Sequence, residues 1–116
     1  MYRWVITFIV VFFSDSVAAE YKKVTEEAIF VELTESKELV APFVNLKVLP
    51  EGQIIGQGIG WDVTGTWSWQ DGYFCRDLNW GGDELGYDCL EVAILNNRIR
   101  FTAQKGTGDT ATFRLR

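Results

Sequence analysis

The sequence predicts a mainly β protein, an antiparallel meander of about seven strands rolled into a small barrel or a curled sheet. After residue 36 the chain consists of short runs rich in β-branched and aromatic residues, in which polar and apolar positions alternate. Turn sequences such as PEG, QDG, GGD and NN separate these runs at short intervals. Because the alternation leaves one face of the sheet apolar, the sheet must curl or close to bury that face.

The N-terminus has the pattern of an export signal. Arg3 precedes an apolar run at 4–13, which is too short to span a bilayer. Small residues at Val17 and Ala19 occupy the positions that a signal peptidase reads. We therefore predict a signal peptide at 1–19 and one periplasmic or secreted domain at 20–116, without a membrane anchor after cleavage; the alternative is an uncleaved anchor.

Composition restricts the possible partners and chemistry. The chain has 16 acidic and 11 basic residues, a net charge of −5, and no cluster of lysine or arginine, which argues against nucleic acid and anionic membranes as partners. It has no histidine, which excludes Ser–His and Cys–His pairs and histidine zinc ligands. The acidic turn GGDELGYD lacks calcium-loop spacing and GQGIG lacks nucleotide-loop spacing, so we predict no metal and no cofactor.

One short helix is predicted at 25–35. Thr25 and Glu27 resemble an imperfect capping box, and apolar residues including Ile29 and Leu33 follow at near-helical spacing. The helix is expected to cover one end of the barrel.

The turns determine which residues lie opposite each other. Turns at 71–72, around residue 82 and at 96–97, with a five-residue loop at 105–109, predict the pairs Trp69–Phe74, Trp67–Arg76, Arg76–Asp88, Phe74–Leu90, Val92–Phe101, Ile94–Ile99, Leu90–Ala103, Phe101–Phe113 and Ile99–Leu115. An upstream hairpin is expected to bring Val44, Leu46 and Val48 to face Ile55 and Ile59. These registers place the apolar residues of the meander on one face, which a one-residue slip would invert.

The turn around residue 82 also sets Cys75 opposite Cys89. In an exported domain two cysteines favour a disulfide, which also removes a thiol nucleophile. A bridge closing a loop of this size contributes about 3 kcal/mol by the loop-closure entropy of the unfolded chain.

Arg76 is the charged residue that the registers place on the apolar face, with Asp88 opposite it on one side and Trp67 on the other. A buried guanidinium needs such partners, since an unpaired buried charge costs several kcal/mol, on the order of 3–5. The cluster is therefore either a structural ion pair or the polar floor of an apolar cup that holds a small apolar or anionic ligand. The ligand-binding candidates are Arg76, Asp88, Trp67, Trp69 and Trp80, and no catalytic residue is predicted.

The stretch GTWSWQDGYFCR at 65–76 carries a family resemblance that extends over nearly the whole of 20–116. It resembles small exported alphaproteobacterial proteins of unknown function, which are often labelled dihydrodipicolinate reductase. That label implies an NAD(P)H enzyme with a dinucleotide fold and a histidine- and lysine-containing site. The sequence has neither histidine nor the glycine fingerprint, so the label contributes no site residue.

Three functional hypotheses follow. The first is a non-catalytic periplasmic module that binds a small ligand or a protein. The second is an enzyme, a hydrolase or lyase that uses converging carboxylates. The third is a structural protein of the cell envelope.

Overall fold

The computed structural model describes residues 20–116, so the predicted signal peptide lies outside the described residues. The elements are β1 Lys22–Val24, α1 Glu27–Thr34, β2 Leu39–Ala41, β3 Val44–Val48, β4 Gln53–Gly58, β5 Trp61–Gln70, β6 Tyr73–Trp80, β7 Asp83–Leu95, β8 Arg98–Thr102, α2 Ala103–Gly106 and β9 Thr110–Leu115. Within this part of the chain neither helix is long and apolar enough to cross a membrane.

The strands form a closed antiparallel barrel, which confirms the predicted fold class. Neighbours run in the order β7, β6, β5, β4, β3, β2, β9 and β8, and pairing of β8 with β7 closes the ring of eight. The ninth strand, β1, pairs with β7 outside the ring. The two strands beyond the predicted seven are β1 and β2, each of three residues. Segments this short carry almost no period-two signal in a sequence.

The predicted helix is present, and it covers one end of the barrel. Phe30 of α1 is fully buried, and its ring centroid lies 5.0–6.3 Å from those of Trp67, Trp69, Phe74 and Phe101. This aromatic cluster is the centre of the hydrophobic core. We call this end of the barrel the closed end.

The predicted capping box is wrong in detail. The residue at the N-cap of α1 is Glu26, and no side chain caps the helix there. The carbonyl oxygen of Thr25 instead accepts a 3.0 Å hydrogen bond from the indole Nε1–H of Trp69. Packing of Phe30 thus positions the helix more than capping does.

The registers from β5 to β8 are as predicted. Trp67 lies opposite Arg76, Arg76 opposite Asp88, and Cys75 opposite Cys89, with which it forms the predicted disulfide. A bulge interrupts the pairing after Leu78 and leaves one extra residue in β7.

The predicted register of β9 is wrong by two residues. Phe101 lies opposite Ala111 rather than Phe113, and Ile99 lies opposite Phe113 rather than Leu115, while Ala103 has left the strand. The loop is longer than predicted because Gln104 and Lys105 both adopt left-handed backbone angles, which non-glycine residues rarely do. A shift of two residues keeps the same side chains inside.

In the β3–β4 hairpin Val44, Leu46 and Val48 face inward as predicted, but the inward positions of β4 are the even-numbered ones and not Ile55. Leu46 lies opposite Gly56 and Val48 opposite Ile54, while Ile55 points outward. The inner face can hold glycines because neighbours fill their space. A Cβ at Gly56 would overlap Leu46, and one at Gly58 would overlap the indole ring of Trp80.

Candidate ligand-binding site

The barrel contains an apolar cavity of about 440 Å³. Its lining comes from β2 to β9: Leu39, Ala41, Val44, Leu46, Val48, Ile54, Val63, Phe74, Arg76, Leu78, Trp80, Leu90, Phe101, Ala111, Thr112 and Phe113. The rings of Phe74 and Phe101, which touch Phe30, form its floor. The residues Ala41, Trp80 and Ala111 next to the turns at the other end of the strands surround its mouth, and we call this the open end.

The cavity exists because side-chain size decreases along the barrel. Large aromatic rings fill the closed end, as described above. Toward the open end the inward positions of β2 and β9 are Ala41 and Ala111, which line the cavity. Side chains this small cannot fill a barrel of eight strands, so an unfilled apolar volume remains.

Arg76 is the charged residue in the lining of this cavity. Its Nη1 donates a 2.9 Å hydrogen bond to the carbonyl oxygen of Gly86. A guanidinium has five N–H donors, so most of them are left for other partners. No buried side-chain nitrogen or oxygen in residues 20–116 lacks a partner, so the remaining donors of Arg76 reach solvent-accessible space. Arg76 therefore contributes a positive charge to the lining of the cavity.

Asp88 lies opposite Arg76 on the backbone, but the predicted ion pair between them is not formed. Its Oδ1 accepts from the Cys89 N–H at 2.9 Å, and its Oδ2 accepts from the Gln104 N–H at 3.0 Å. The ion pairs among the described residues are Lys23–Glu91 and Glu38–Arg116. Two backbone donors hold the carboxylate, and they fasten the 103–109 loop to β7.

The three candidate tryptophans separate into two groups. Trp80 lines the cavity, with its Nε1–H donating to the Gly58 carbonyl at 3.1 Å. Trp67 and Trp69 lie at the closed end, where the Nε1–H of Trp67 donates to the Leu49 carbonyl at 2.8 Å and that of Trp69 to Thr25. The structure thus brings Arg76 and Trp80 together at the cavity, while Trp67, Trp69 and Asp88 lie outside its lining.

Most lining residues were predicted to be inside the barrel without being assigned to a site. Leu78, Leu90 and Phe113 are examples: the alternating pattern places them inward, but it does not separate filled from unfilled positions. The sequence feature that marks the cavity is small side chains at inward-facing positions next to one set of turns.

The acidic residues do not converge in this cavity. Asp77 and Glu84 border a shallow outer depression of about 280 Å³. The pKa of Glu38 is lowered by hydrogen bonds from Arg116 and Asn45, which favour its charged form. Within residues 20–116 no three acidic or cysteine side chains are grouped as metal ligands.

Fold and cavity define the class of protein as a small closed antiparallel β-barrel with an apolar interior and one inward arginine. No protein-family model matches the chain, and neither a curated protein nor a solved structure shows a significant match. The resemblance to exported alphaproteobacterial proteins stays a prediction.

Proposed function

We propose that the protein binds one small amphipathic anion, an apolar group with a carboxylate or similar head, and carries out no reaction on it. The observation that carries this proposal is the cavity with Arg76 in its otherwise apolar lining. Ligand sites of proteins are usually apolar concavities of roughly 300–1,000 Å³ with a few placed polar groups.

The size and the lining support this ligand class. At the ~30 Å³ that one water molecule occupies in the liquid, a cavity of about 440 Å³ has room for about fifteen non-hydrogen atoms. An apolar cavity gains little from water, so an alkyl or aryl group is the favoured occupant. The planar guanidinium of Arg76 matches the two oxygens of a carboxylate, which favours an acidic head group.

The position of Asp88 supports an anion over a neutral ligand. Because its carboxylate is bonded to two backbone N–H groups, it leaves the charge of Arg76 without a paired carboxylate. A ligand carboxylate would supply that partner. A hydrolase or lyase that uses two carboxylates has less support, since the lining of the cavity has no acidic residue.

The compartment belongs to the same proposal. The disulfide between Cys75 and Cys89 is compatible with an oxidising space. Together with the predicted signal at 1–19, it supports a periplasmic or secreted binding protein.

The test compares an acid with its alcohol. Protein purified from the periplasm is titrated by calorimetry with decanoate and with decanol, which share one alkyl chain. We expect decanoate to bind roughly tenfold more tightly, because hydrogen bonds to charged groups are the stronger ones. Arg76→Gln should bind decanoate and decanol equally, because the alkyl chain still contributes to the binding free energy while the charged partner of the carboxylate is gone.

Arg100→Gln is the matched control, because Arg100 lies on the outer side of β8 over the ring of Tyr21. It removes the same charge from the protein without touching the cavity. Equal binding of acid and alcohol would contradict the anionic head group, and no binding of either would contradict the ligand-binding function. Native mass spectrometry of the same sample should show a retained acidic molecule that Arg76→Gln loses.

A further inference from the structure

We propose that the open end of the barrel docks on a zwitterionic lipid surface, with Phe43, Ile59 and Trp61 entering the interface. These three side chains are 86%, 70% and 61% exposed. Exposed apolar residues that occur singly are common, but a group beside a cavity mouth marks an interaction site. We call Phe43, Ile59 and Trp61 the rim residues.

The rim residues belong to one surface. The β2–β3 and β4–β5 turns are joined by a 2.8 Å hydrogen bond from the Ile59 N–H to the Phe43 carbonyl. Trp61 lies opposite Gly58 at the start of β5 and packs against Gly81 of the β6–β7 turn. Two turns at the open end and the first residue of β5 therefore present their apolar side chains together, next to the cavity lining at Ala41, Val44 and Trp80.

The backbone under two of these residues is unfavourable for large side chains. Phe43 and Ile59 have φ of 62° and 51°, in the left-handed region. The turn Pro42-Phe43 has its positive φ where glycine or asparagine is usual, and Ile59-Gly60 has positive φ at both turn positions, a pattern that favours Asn-Gly or Asp-Gly. A β-branched residue at positive φ is a rare outlier, and such outliers concentrate at functional sites.

Charge and area favour a lipid surface over a protein. The turns at 42–43, 59–61 and 81–85 contain no lysine or arginine, and the acids Asp62, Asp83 and Glu84 lie among them. Two copies that met at this end would bring these acids together. Three large side chains bury on the order of 500 Å² on this chain, below the ~600 Å² that each partner buries in even the smallest stable protein interfaces. Separate apolar tips enter a fluid interface without needing a complementary shape, and acidic neighbours favour zwitterionic over anionic head groups.

The choice of a lipid surface also rests on the proposed function. An amphipathic acid partitions into membranes, so a cavity that opens toward a lipid surface would receive its ligand without passing it through water.

The test is flotation of the purified protein with phosphatidylcholine vesicles. Wild type should float with the vesicles, and each of Phe43→Asn and Ile59→Asn should lower the partition coefficient roughly tenfold, the effect of burying one large side chain. Asparagine tolerates left-handed angles, so both variants should melt at the same temperature as wild type or higher. Vesicles with added phosphatidylglycerol should bind more weakly than phosphatidylcholine alone.

Ile55→Thr is the control, because Ile55 is 42% exposed on the barrel wall at β4, one of the strands that meets the open end. It should leave flotation unchanged. Absence of flotation, or equal loss with Ile55→Thr, would overturn the proposal, as would a dimer in light scattering that the rim variants dissociate. Titration of the rim variants with decanoate in the absence of lipid measures ligand binding by the cavity alone. A failed flotation test would therefore leave the proposed ligand binding intact.

Discussion

The turns at the two ends of the barrel contain different types of residue. The tight turns next to α1 carry Asp71-Gly72 and Asn96-Asn97, residue types that accept positive φ, and Asp71 and Asn96 do adopt it. The turns of the open end carry Phe43 and Ile59 at positive φ instead. Local conformational preference and structure agree at Asp71 and Asn96 and at Gly81-Gly82 of the open end, and they conflict at Phe43 and Ile59.

The packing inside the barrel also differs between the closed end and the open end. At the closed end an aromatic cluster fills the barrel around Phe30, while toward the open end small residues leave a cavity with Arg76 in its wall. Natural sequences satisfy local and global preferences together except where function requires otherwise. The packed closed end therefore stabilises the barrel, while the open end is where we propose that binding takes place.

The largest expected effect is at the centre of the closed end. Phe30→Ala should lower the free energy of unfolding by about 3–5 kcal/mol, because Phe30 is fully buried among four aromatic rings. Urea unfolding followed by tryptophan fluorescence measures the change. Ile29→Ala is the control on the same helix, since Ile29 is half exposed. Similar losses for the two variants would contradict the assignment of the core to this end.

Removing the disulfide should have the next largest effect. The variant Cys75→Ala with Cys89→Ala should lose about 3 kcal/mol, because the bridge closes a loop with a sequence separation of 14. The measurement is urea unfolding of the oxidised protein and the double variant. Dithiothreitol should lower the unfolding midpoint of the wild type and leave that of the double variant unchanged. A double variant as stable as the oxidised protein would contradict the prediction.

Asp88 and Arg76 should behave as independent residues. Asp88→Ala should cost about 2 kcal/mol, since it removes charge-assisted hydrogen bonds to the N–H groups of Cys89 and Gln104. Arg76→Met should change stability by less than about 1 kcal/mol, because the guanidinium has no carboxylate partner and its donors reach solvent-accessible space.

A double-mutant cycle of these two changes checks the prediction. The expected interaction energy is within about 0.5 kcal/mol of zero, the limit for uncoupled sites. A coupling of several kcal/mol would show that Arg76 and Asp88 form the buried pair that the sequence predicted.

The sequence predicted the parts of the barrel whose turns follow residue preference. Asp71-Gly72, the turn around Gly82 and Asn96-Asn97 led to correct registers for β5 to β8, the disulfide and the inward position of Arg76. The registers failed where the turn is irregular, as at Gln104 and Lys105, whose left-handed angles no propensity indicates.

The candidate site was predicted in part for the same reason. The alternation of inward and outward positions along β6 is enough to place Arg76 and Trp80 inside the barrel, so the sequence predicts their position in the cavity wall. The sequence did not predict the hydrogen-bond partner of Asp88, because the Gln104 N–H belongs to the irregular 103–109 loop. The cavity depends on the volumes of the inward side chains contributed by all eight strands. The alternating pattern of a sequence does not give these combined volumes.

The smallest expected effect is at the junction of β2 and β9, where the ring has only two paired residues on each strand. Glu38 and Arg116 extend this junction with two backbone hydrogen bonds and a 2.8 Å ion pair. Hydrogen bonds from Arg116 and Asn45 lower the pKa of Glu38 from its ordinary value of 4.5. A lowered pKa in the folded state adds stability at pH values above 4.5, and that contribution is lost as the pH falls through the folded value.

Glu38→Gln should therefore be slightly less stable than wild type at pH 7, and the difference should vanish below the lowered pKa of Glu38. Urea midpoints measured from pH 7 to strongly acidic pH test this, with Glu51→Gln in the exposed β3–β4 turn correcting for the loss of one negative charge. A difference that grows toward low pH would have the wrong sign for an ion pair at this junction. No difference at any pH would mean that the ion pair adds nothing to the backbone pairing of β2 with β9.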